Sequence, residues 1–175
     1  MLCNLKARLK TNKYSVKHFN KLEMLDKSLH NDKVTQKKKL NSSIIELEEG
    51  TSLNLQFEKR GGLLPVAVQE TSTGQLLMIA SINEEAFAKT LRTRKATFWS
   101  TSRNQLWTKG ETSGDILQVD NILIDCDQDA LVYQVTLLGS GVCHTYDQQS
   151  KHRKACFYRE LNLESSKLQF IKGME

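Results

Sequence analysis

Apolar and polar residues alternate along several short runs, the period at which side chains of an extended chain point to opposite faces. Leu53-Asn54-Leu55-Gln56-Phe57 is one such run, broken by Gly61-Gly62. Leu64 to Gln69 and Leu76 to Ala80 are two more, and Thr71-Ser72-Thr73-Gly74 between them predicts a hairpin turn. Pro65, the only proline, falls at the beginning of its strand, where a missing backbone donor is tolerated. Ala96 to Ser100 predicts a strand, Thr101 to Asn104 a polar turn, and a further run passes through Leu106 and Trp107. The two most apolar runs, Leu117 to Ile124 and Leu131 to Leu138, flank an acidic turn.

Helical signals are fewer. Asn83 suits a helix N-cap, and Glu84 and Glu85 favour the positive end of the helix dipole. Phe87 and Leu91, four residues apart, share the predicted buried face of a helix ending near Thr93. Ser42 or Ser43 predicts the start of a short helix through Ile44, Ile45 and Leu47, closed by Gly50. Leu22, Leu25 and Leu29 outline a short apolar face around Met24, and the last ten or so residues read as a weak helix or a fraying end. The expected class is α+β and mainly β. It is a mixed or antiparallel sheet curled into a partial barrel, with one or two packed helices.

Length and charge add a division. A chain of 175 residues predicts one domain with a real core. Residues 1–40 carry 11 Lys/Arg against 3 Asp/Glu, whereas residues 41–175 carry 14 against 17. The basic character therefore belongs to an N-terminal extension, residues 1–43, expected to be solvated and partly disordered. Residues 44–175 form the expected domain. A targeting segment and a basic arm toward an acidic partner are competing readings of the extension, which holds a single arginine, Arg8, and ends in Lys37-Lys38-Lys39. Cys3, His18 and His30 there have no neighbouring ligands at suitable spacing. The acidic balance of residues 41–175 argues against a nucleic-acid footprint on the domain. No apolar run approaches the roughly 20 residues of a membrane helix. Four cysteines without a secretory signal predict free or metal-bound thiols in a reducing, cytoplasmic setting.

Chemistry concentrates in three places. In Ile124-Asp125-Cys126-Asp127-Gln128-Asp129-Ala130, an extended chain puts Asp125, Asp127 and Asp129 on one side and Cys126 on the other. Three convergent carboxylates suit a hard cation such as Mg²⁺, although acidic turns are also commonly just solvated. The loop Trp107-Thr108-Lys109-Gly110-Glu111-Thr112-Ser113-Gly114 offers glycine amides, hydroxyls and a lysine to a phosphate. An ordinary hairpin loop has the same composition. Cys126, Cys143 and Cys156 lie at strand edges or in loops. Three thiolates with a fourth, open position describe a catalytic zinc site, and His144 is a further ligand or base. Three inert cysteines fit the spacing equally well.

Taken together, Thr97-Phe98-Trp99-Ser100, Ser102-Arg103, Leu106 to Gly114, Asp125 to Asp129, Cys143-His144-Thr145 and Cys156-Phe157-Tyr158 resemble the phosphoribosyl-AMP cyclohydrolase family of histidine biosynthesis. The likeness covers roughly residues 53–160, with Leu76 to Asn83 and Glu84-Glu85-Ala86 fitting as well. It implies hydrolysis of the purine N1–C6 bond of phosphoribosyl-AMP, opening the ring to a formimino-aminoimidazole carboxamide ribonucleotide. It implies zinc on Cys126, Cys143 and Cys156, magnesium on Asp125, Asp127 and Asp129, and a homodimer with shared sites. His144 and Glu111 are then the candidates for proton transfer. Arg103, Trp107, Lys109, Thr112 and Ser113 are those for binding the nucleotide substrate.

Two departures accompany the resemblance. The stretch from Cys143 to Cys156 is longer than the family's, and its extra residues, among them His152, Arg153 and Lys154, are expected to bulge outward. The basic extension is also atypical. A zinc-stabilised binding protein and a zinc nucleobase deaminase are the alternative functions. The His-x-Glu and Pro-Cys-x-x-Cys signature of the deaminases is absent from the sequence.

Overall fold

The computed structural model describes residues 32–175. Cys3, His18, His30 and the face formed by Leu22, Met24, Leu25 and Leu29 lie outside the described residues. The chain divides into two compact units, Met1–Glu46 and Leu47–Glu175. Residues 32–49 are helical (α1), so the helix expected to start at Ser42 or Ser43 is already under way there. Ser43 does not cap it; its Oγ donates to the Leu40 carbonyl at 2.8 Å, one turn back. Among the described residues no helix is long and apolar enough to cross a membrane.

The second unit is built on six strands: β1 Leu64–Glu70, β2 Leu76–Ile82, β3 Thr97–Ser100, β4 Gln105–Thr108, β5 Leu117–Ile124 and β6 Leu131–Leu137. Their order in the sheet is β4-β3-β2-β1-β6-β5, antiparallel throughout except that β1 and β6 run parallel. The sheet curls into a half barrel. The chain entering β3 reaches across to β5, with Ala96 N–H donating to Leu117 O (3.0 Å) and Val119 N–H to Arg94 O (2.7 Å). Pro65 precedes the β6 ladder, which starts at Val66 against Leu131, so no bond to β6 is lost. The expected turn at Thr71 to Gly74 is present and closes with Gly74 N–H on Glu70 O.

Helix α2, Glu84–Thr93, begins as its sequence indicates: Asn83 Oδ1 accepts from Ala86 N at 2.8 Å. Its buried face is Ala86, Phe87 and Thr90, not Phe87 and Leu91; Leu91 is exposed. Thr90 takes the inward place because its hydroxyl bonds β3, accepting from Thr97 N (3.1 Å) and facing Thr97 O (3.3 Å). Leu53 to Phe57 is not a strand. Its backbone bonds go to Gln128, with Asn54 N–H on Oε1 (2.7 Å) and Gln56 N–H on the carbonyl (2.9 Å), so it forms a connector. The C-terminal residues are likewise neither helical nor frayed. Strands β7 Arg159–Asn162 and β8 Lys167–Phe170 form a separate hairpin. The Asn162 side chain organises its turn, accepting from Glu164 N and Ser165 N.

The core lies on the inner face of the sheet. Leu64, Val66 and Val68 of β1, Leu77 and Ile82 of β2, Phe98 of β3, and Tyr133 and Val135 of β6 are all fully buried. Phe98 packs between Trp107 (ring centroids 4.9 Å) and Tyr133 (6.0 Å), linking the core to β4. Burial pushes the Tyr133 phenol up to about 12, with the nearby Thr90 hydroxyl opposing the shift. The phenol oxygen makes no well-formed hydrogen bond. A buried hydroxyl without a partner costs stability. Tyr133→Phe is therefore expected to leave the thermal melting temperature unchanged or raise it. Phe98→Ala, which opens a cavity at the same place, should cost about 3–5 kcal/mol in denaturant unfolding.

Candidate functional site

The loop between β4 and β5 folds back on itself. Gly114 N–H bonds Gly110 O at 2.8 Å. Gly110 has φ +80°, and a Cβ there would lie 2.2 Å from the backbone of Asp115, so the turn admits only glycine. Asp115 closes the loop and is buried. Its Oδ1 accepts from Ser140 N (2.9 Å) and Ser140 Oγ (3.2 Å), joining this loop to the segment after β6. Burial raises the Asp115 carboxyl, but the bonds from Ser140 and Ser113 and the charge of Lys109 outweigh it and hold the group below its ordinary value.

Cys143 and Cys156 are brought beside this loop by backbone bonds. Cys156 N–H donates to Leu77 O at 2.7 Å, and Cys143 N–H to Arg153 O at 3.1 Å. The two thiols influence one another's titration. Burial alone would raise Cys143, but the Thr145 hydroxyl (3.1 Å), the Thr145 and His144 backbone and Cys156 lower it. Cys156 is pushed up to about 11 by burial and by the charge of Cys143. The same neighbourhood thus shifts the two thiols in opposite directions. Arg103, Trp107, Lys109, Glu111, Thr112, Ser113 and His144 line the same cleft of ≈ 670 Å³, together with Met78 and His152.

The acidic turn sits elsewhere. Asp125 O accepts from Gln128 N (3.2 Å), Asp125 N–H reaches Ala130 O (3.2 Å), and Gln128 has φ +54°. The stretch is a turn, as expected, but not through extended-chain alternation, and the three carboxylates converge with ligand oxygens within 4.8 Å of one another. Lys59 and Arg60 meet them. Lys59 Nζ bridges Asp127 and Asp129 (2.6 Å to the latter). Arg60 forks onto Asp129 at 2.9 and 3.1 Å. Asp129 is held down from 3.8 to about 2 by the hydrogen bonds from Arg60 and Lys59.

Cys126 belongs to the acidic end. It lines a hollow with Leu53, Ile124, Asp125 and Gln128, not the cleft of the other two thiols. The topology explains the separation. The acidic turn enters β6, the Cys143 segment leaves it, and a strand of this length spans roughly 20 Å. Leu77, which holds Cys156, pairs near the far end of β1 as well. One chain thus brings two of the three expected zinc ligands together. Among the described residues, the only group of three potential ligands in reach of one another is Asp125, Asp127 and Asp129.

The stretch from Tyr146 to Lys154 only partly bulges. Gln148, Gln149, Ser150 and Lys151 are exposed, but His152 turns into the cleft. Arg153 is half-buried, its guanidinium 4.4 Å from the Tyr158 ring and 5.2 Å from Phe170. Both are drawn inward because residues 152–154 pair with the Val142–Thr145 backbone. Sequence reasoning missed Lys59, Arg60, Asp115 and Gln128. No spacing marks the first three. Gln128 carries a weak signal, as the amide within an acidic turn. Its Nε2 bonds Leu47 O and Ser52 O, both at 3.1 Å, and ties the connector to that turn.

The phosphoribosyl-AMP cyclohydrolase family profile matches residues 78–158. The chain is 48% identical over 111 residues to the phosphoribosyl-AMP cyclohydrolase of Streptococcus mutans, covering 63% of this chain and 95% of that one. It is 47% identical over 107 residues to that of Desulfatibacillum aliphaticivorans, covering 61% and 81%. The protein of the same name from Methanosphaera stadtmanae is 46% identical over 110 residues, covering 62% and 80%. The matched span contains the cleft residues and the acidic turn.

The ion pairs at that turn set an acid limit. Above 3.8 the Asp129 carboxyl is charged in both folded and unfolded chains, and its stabilisation is fully present. Between 3.8 and about 2 the unfolded chain takes up a proton that the folded one does not, so stability falls with acidification. Arg60→Ala should move the Asp129 titration, read by carboxyl-resolved NMR, up toward 3.8. The acid-unfolding midpoint in circular dichroism should rise in pH with it.

Proposed function

The chain belongs to the phosphoribosyl-AMP cyclohydrolase family, and we propose that it opens the purine ring of phosphoribosyl-AMP by hydrolysis of the N1–C6 bond, a step of histidine biosynthesis. The observation that carries this reading is the single cleft in which the thiol pair, His144 and the Lys109 loop meet. The substrate has a phosphorylated ribose on each side of its base, and Arg103, Lys109 and the hydroxyls of Thr112 and Ser113 are donors suited to phosphate oxygens. Trp107 offers the base a flat apolar wall. His144 is exposed at the cleft and is the candidate to accept the attacking water's proton or to supply the one that ring nitrogen N1 needs on leaving. Glu111 shares that task or orients Lys109.

The thiols fit a soft ion. Hydrogen bonds lower the Cys143 thiol, and a bound cation would offset the charge of Cys143 that raises Cys156. Cys143 and Cys156 would be two of the ligands of a zinc ion, which would bring the acidity of water at the cleft toward neutral pH. Cys126 completes a three-thiolate set only from a second copy, because in its own chain it lies at the other end of β6. This supports a homodimer. The shallow apolar concavity beside that turn, formed by Pro65, Ala67, Ile79, Leu123 and Val132, is the surface offered to the second copy. The oxygen-only set Asp125, Asp127 and Asp129 fits magnesium, which must displace Lys59 from between Asp127 and Asp129.

Purified protein should open phosphoribosyl-AMP, seen as an absorbance change, and lose that activity to a strong zinc chelator. Cys126→Ala and Cys143→Ala should each be inactive. If sites are shared, mixing them with subunit exchange assembles one intact site in each mixed dimer and recovers about a quarter of wild-type turnover. A mixture that stays inactive although mass measurement shows mixed dimers argues against shared sites.

A further inference from the structure

The cleft contains a contact set that neither the family motifs nor the thiol chemistry requires. His152 has neighbours on three sides. Its Nδ1 lies 2.8 Å from the carbonyl oxygen of Cys143. A carbonyl only accepts, so Nδ1 carries the proton and donates it. The ring stacks on Tyr146, centroids 4.5 Å apart, and the two residues also form a β-bridge. Its Nε2 lies 3.9 Å from Asp115 Oδ2, beyond hydrogen-bond distance, so the ring and the carboxylate are neighbours without a direct bond.

Asp115 uses its other oxygen on Ser140, three residues before Cys143. The approach is close: a Cβ on Gly139 would lie 2.3 Å from Asp115 Oδ1. The segment that carries the Cys143 thiol is therefore gripped at Ser140 by Asp115 and at the Cys143 carbonyl by His152. The two gripping side chains face one another. Two fixed points three residues apart leave the intervening backbone, and so the direction of the thiol, little freedom. Groups that orient a ligand through its backbone or its second atom typically change metal affinity or activity about 10–100-fold when removed.

We propose that Asp115 and His152 are positioning residues that fix the direction of the Cys143 thiol toward Cys156, so that the pair meets a soft metal ion without rearrangement. The inference rests on the metal reading of the thiol cleft given above. His152 enters from the stretch that lengthens the path between the two cysteines. The added chain thus supplies a brace for the site.

The test uses the full chain and Cd²⁺ as a probe, followed by the thiolate-to-metal charge-transfer band, alongside kcat and KM for phosphoribosyl-AMP. His152→Ala and Asp115→Ala should bind Cd²⁺ about 10–100-fold more weakly and lose kcat by a similar factor, with KM changed less than about threefold. His152→Asn keeps an N–H for the Cys143 carbonyl, and Asp115→Asn keeps an acceptor for Ser140. Both should recover most of the loss. Tyr146→Ala removes only the exposed stacking partner and should weaken Cd²⁺ binding several-fold. It decides the matter if an alanine variant does not fold. Wild-type Cd²⁺ affinity in folded His152→Ala and Asp115→Ala, or in Tyr146→Ala where those do not fold, overturns the proposal. Wild-type protein that binds Cd²⁺ tightly, with the variant ratios above, but does not open phosphoribosyl-AMP overturns the catalytic reading and supports the brace. Wild-type protein that binds no Cd²⁺ overturns both.

Discussion

The parallel pairing of β1 with β6 decides what can meet what in this protein. It runs from Val66 against Leu131 to Glu70 against Val135. Parallel strands bring like ends together. The segment entering β1 carries Lys59 and Arg60, the segment entering β6 carries the three aspartates, and they find each other as ion pairs. The segments leaving the two strands are the Thr71 turn, whose N–H bonds Val135 O, and the stretch toward Cys143. Carboxylates thus collect at one end of the sheet and the thiols of Cys143 and Cys156 at the other. Among the described residues, Cys126 is the thiol at the acidic end.

Much of this was legible in the chain. The hairpin at Thr71 to Gly74, the cap at Asn83 and the strands either side of the acidic turn rest on local chemistry, which a linear reading captures. The failures have one cause, competition from a distant partner. Leu53 to Phe57 has strand alternation, but Gln128 takes its backbone bonds. Leu91 has the spacing of a core residue, but the bonds between Thr90 and Thr97 set the helix rotation. The acidic triplet converges as expected, through a left-handed Gln128 in the turn and not through extended-chain alternation. Its neutralisation by Lys59 and Arg60 was invisible, since a separation of nearly seventy residues leaves no local trace.

The cleft shows how few bonds hold a site that draws on several elements. Asp115 joins the loop after β4 to the segment after β6, a single bond from Cys156 to Leu77 sets the second thiol, and Phe98 ties Trp107 to the core. Charges also sit at both ends. Arg103 and Lys109 share the cleft with Glu111, and the aspartate turn carries three carboxylates against two cations.

The turn between Tyr146 and His152 has a consequence for remodelling the protein. Asp147 Oδ1 accepts from Gln149 N (2.8 Å) and Lys151 N (2.9 Å), and the bridge between Tyr146 and His152 seals the base. The loop's ends are therefore joined by its own bonds. Its tip, Gln148 to Ser150, is exposed. Lengthening a loop whose ends are already fixed adds only about 0.6 kcal/mol of closure entropy for each doubling. The Gln148–Gln149 peptide is accordingly a natural place to graft a fluorophore-bearing tag or a small foreign module. Such a graft would stand within one short ladder of the thiols and report on them without entering the cleft.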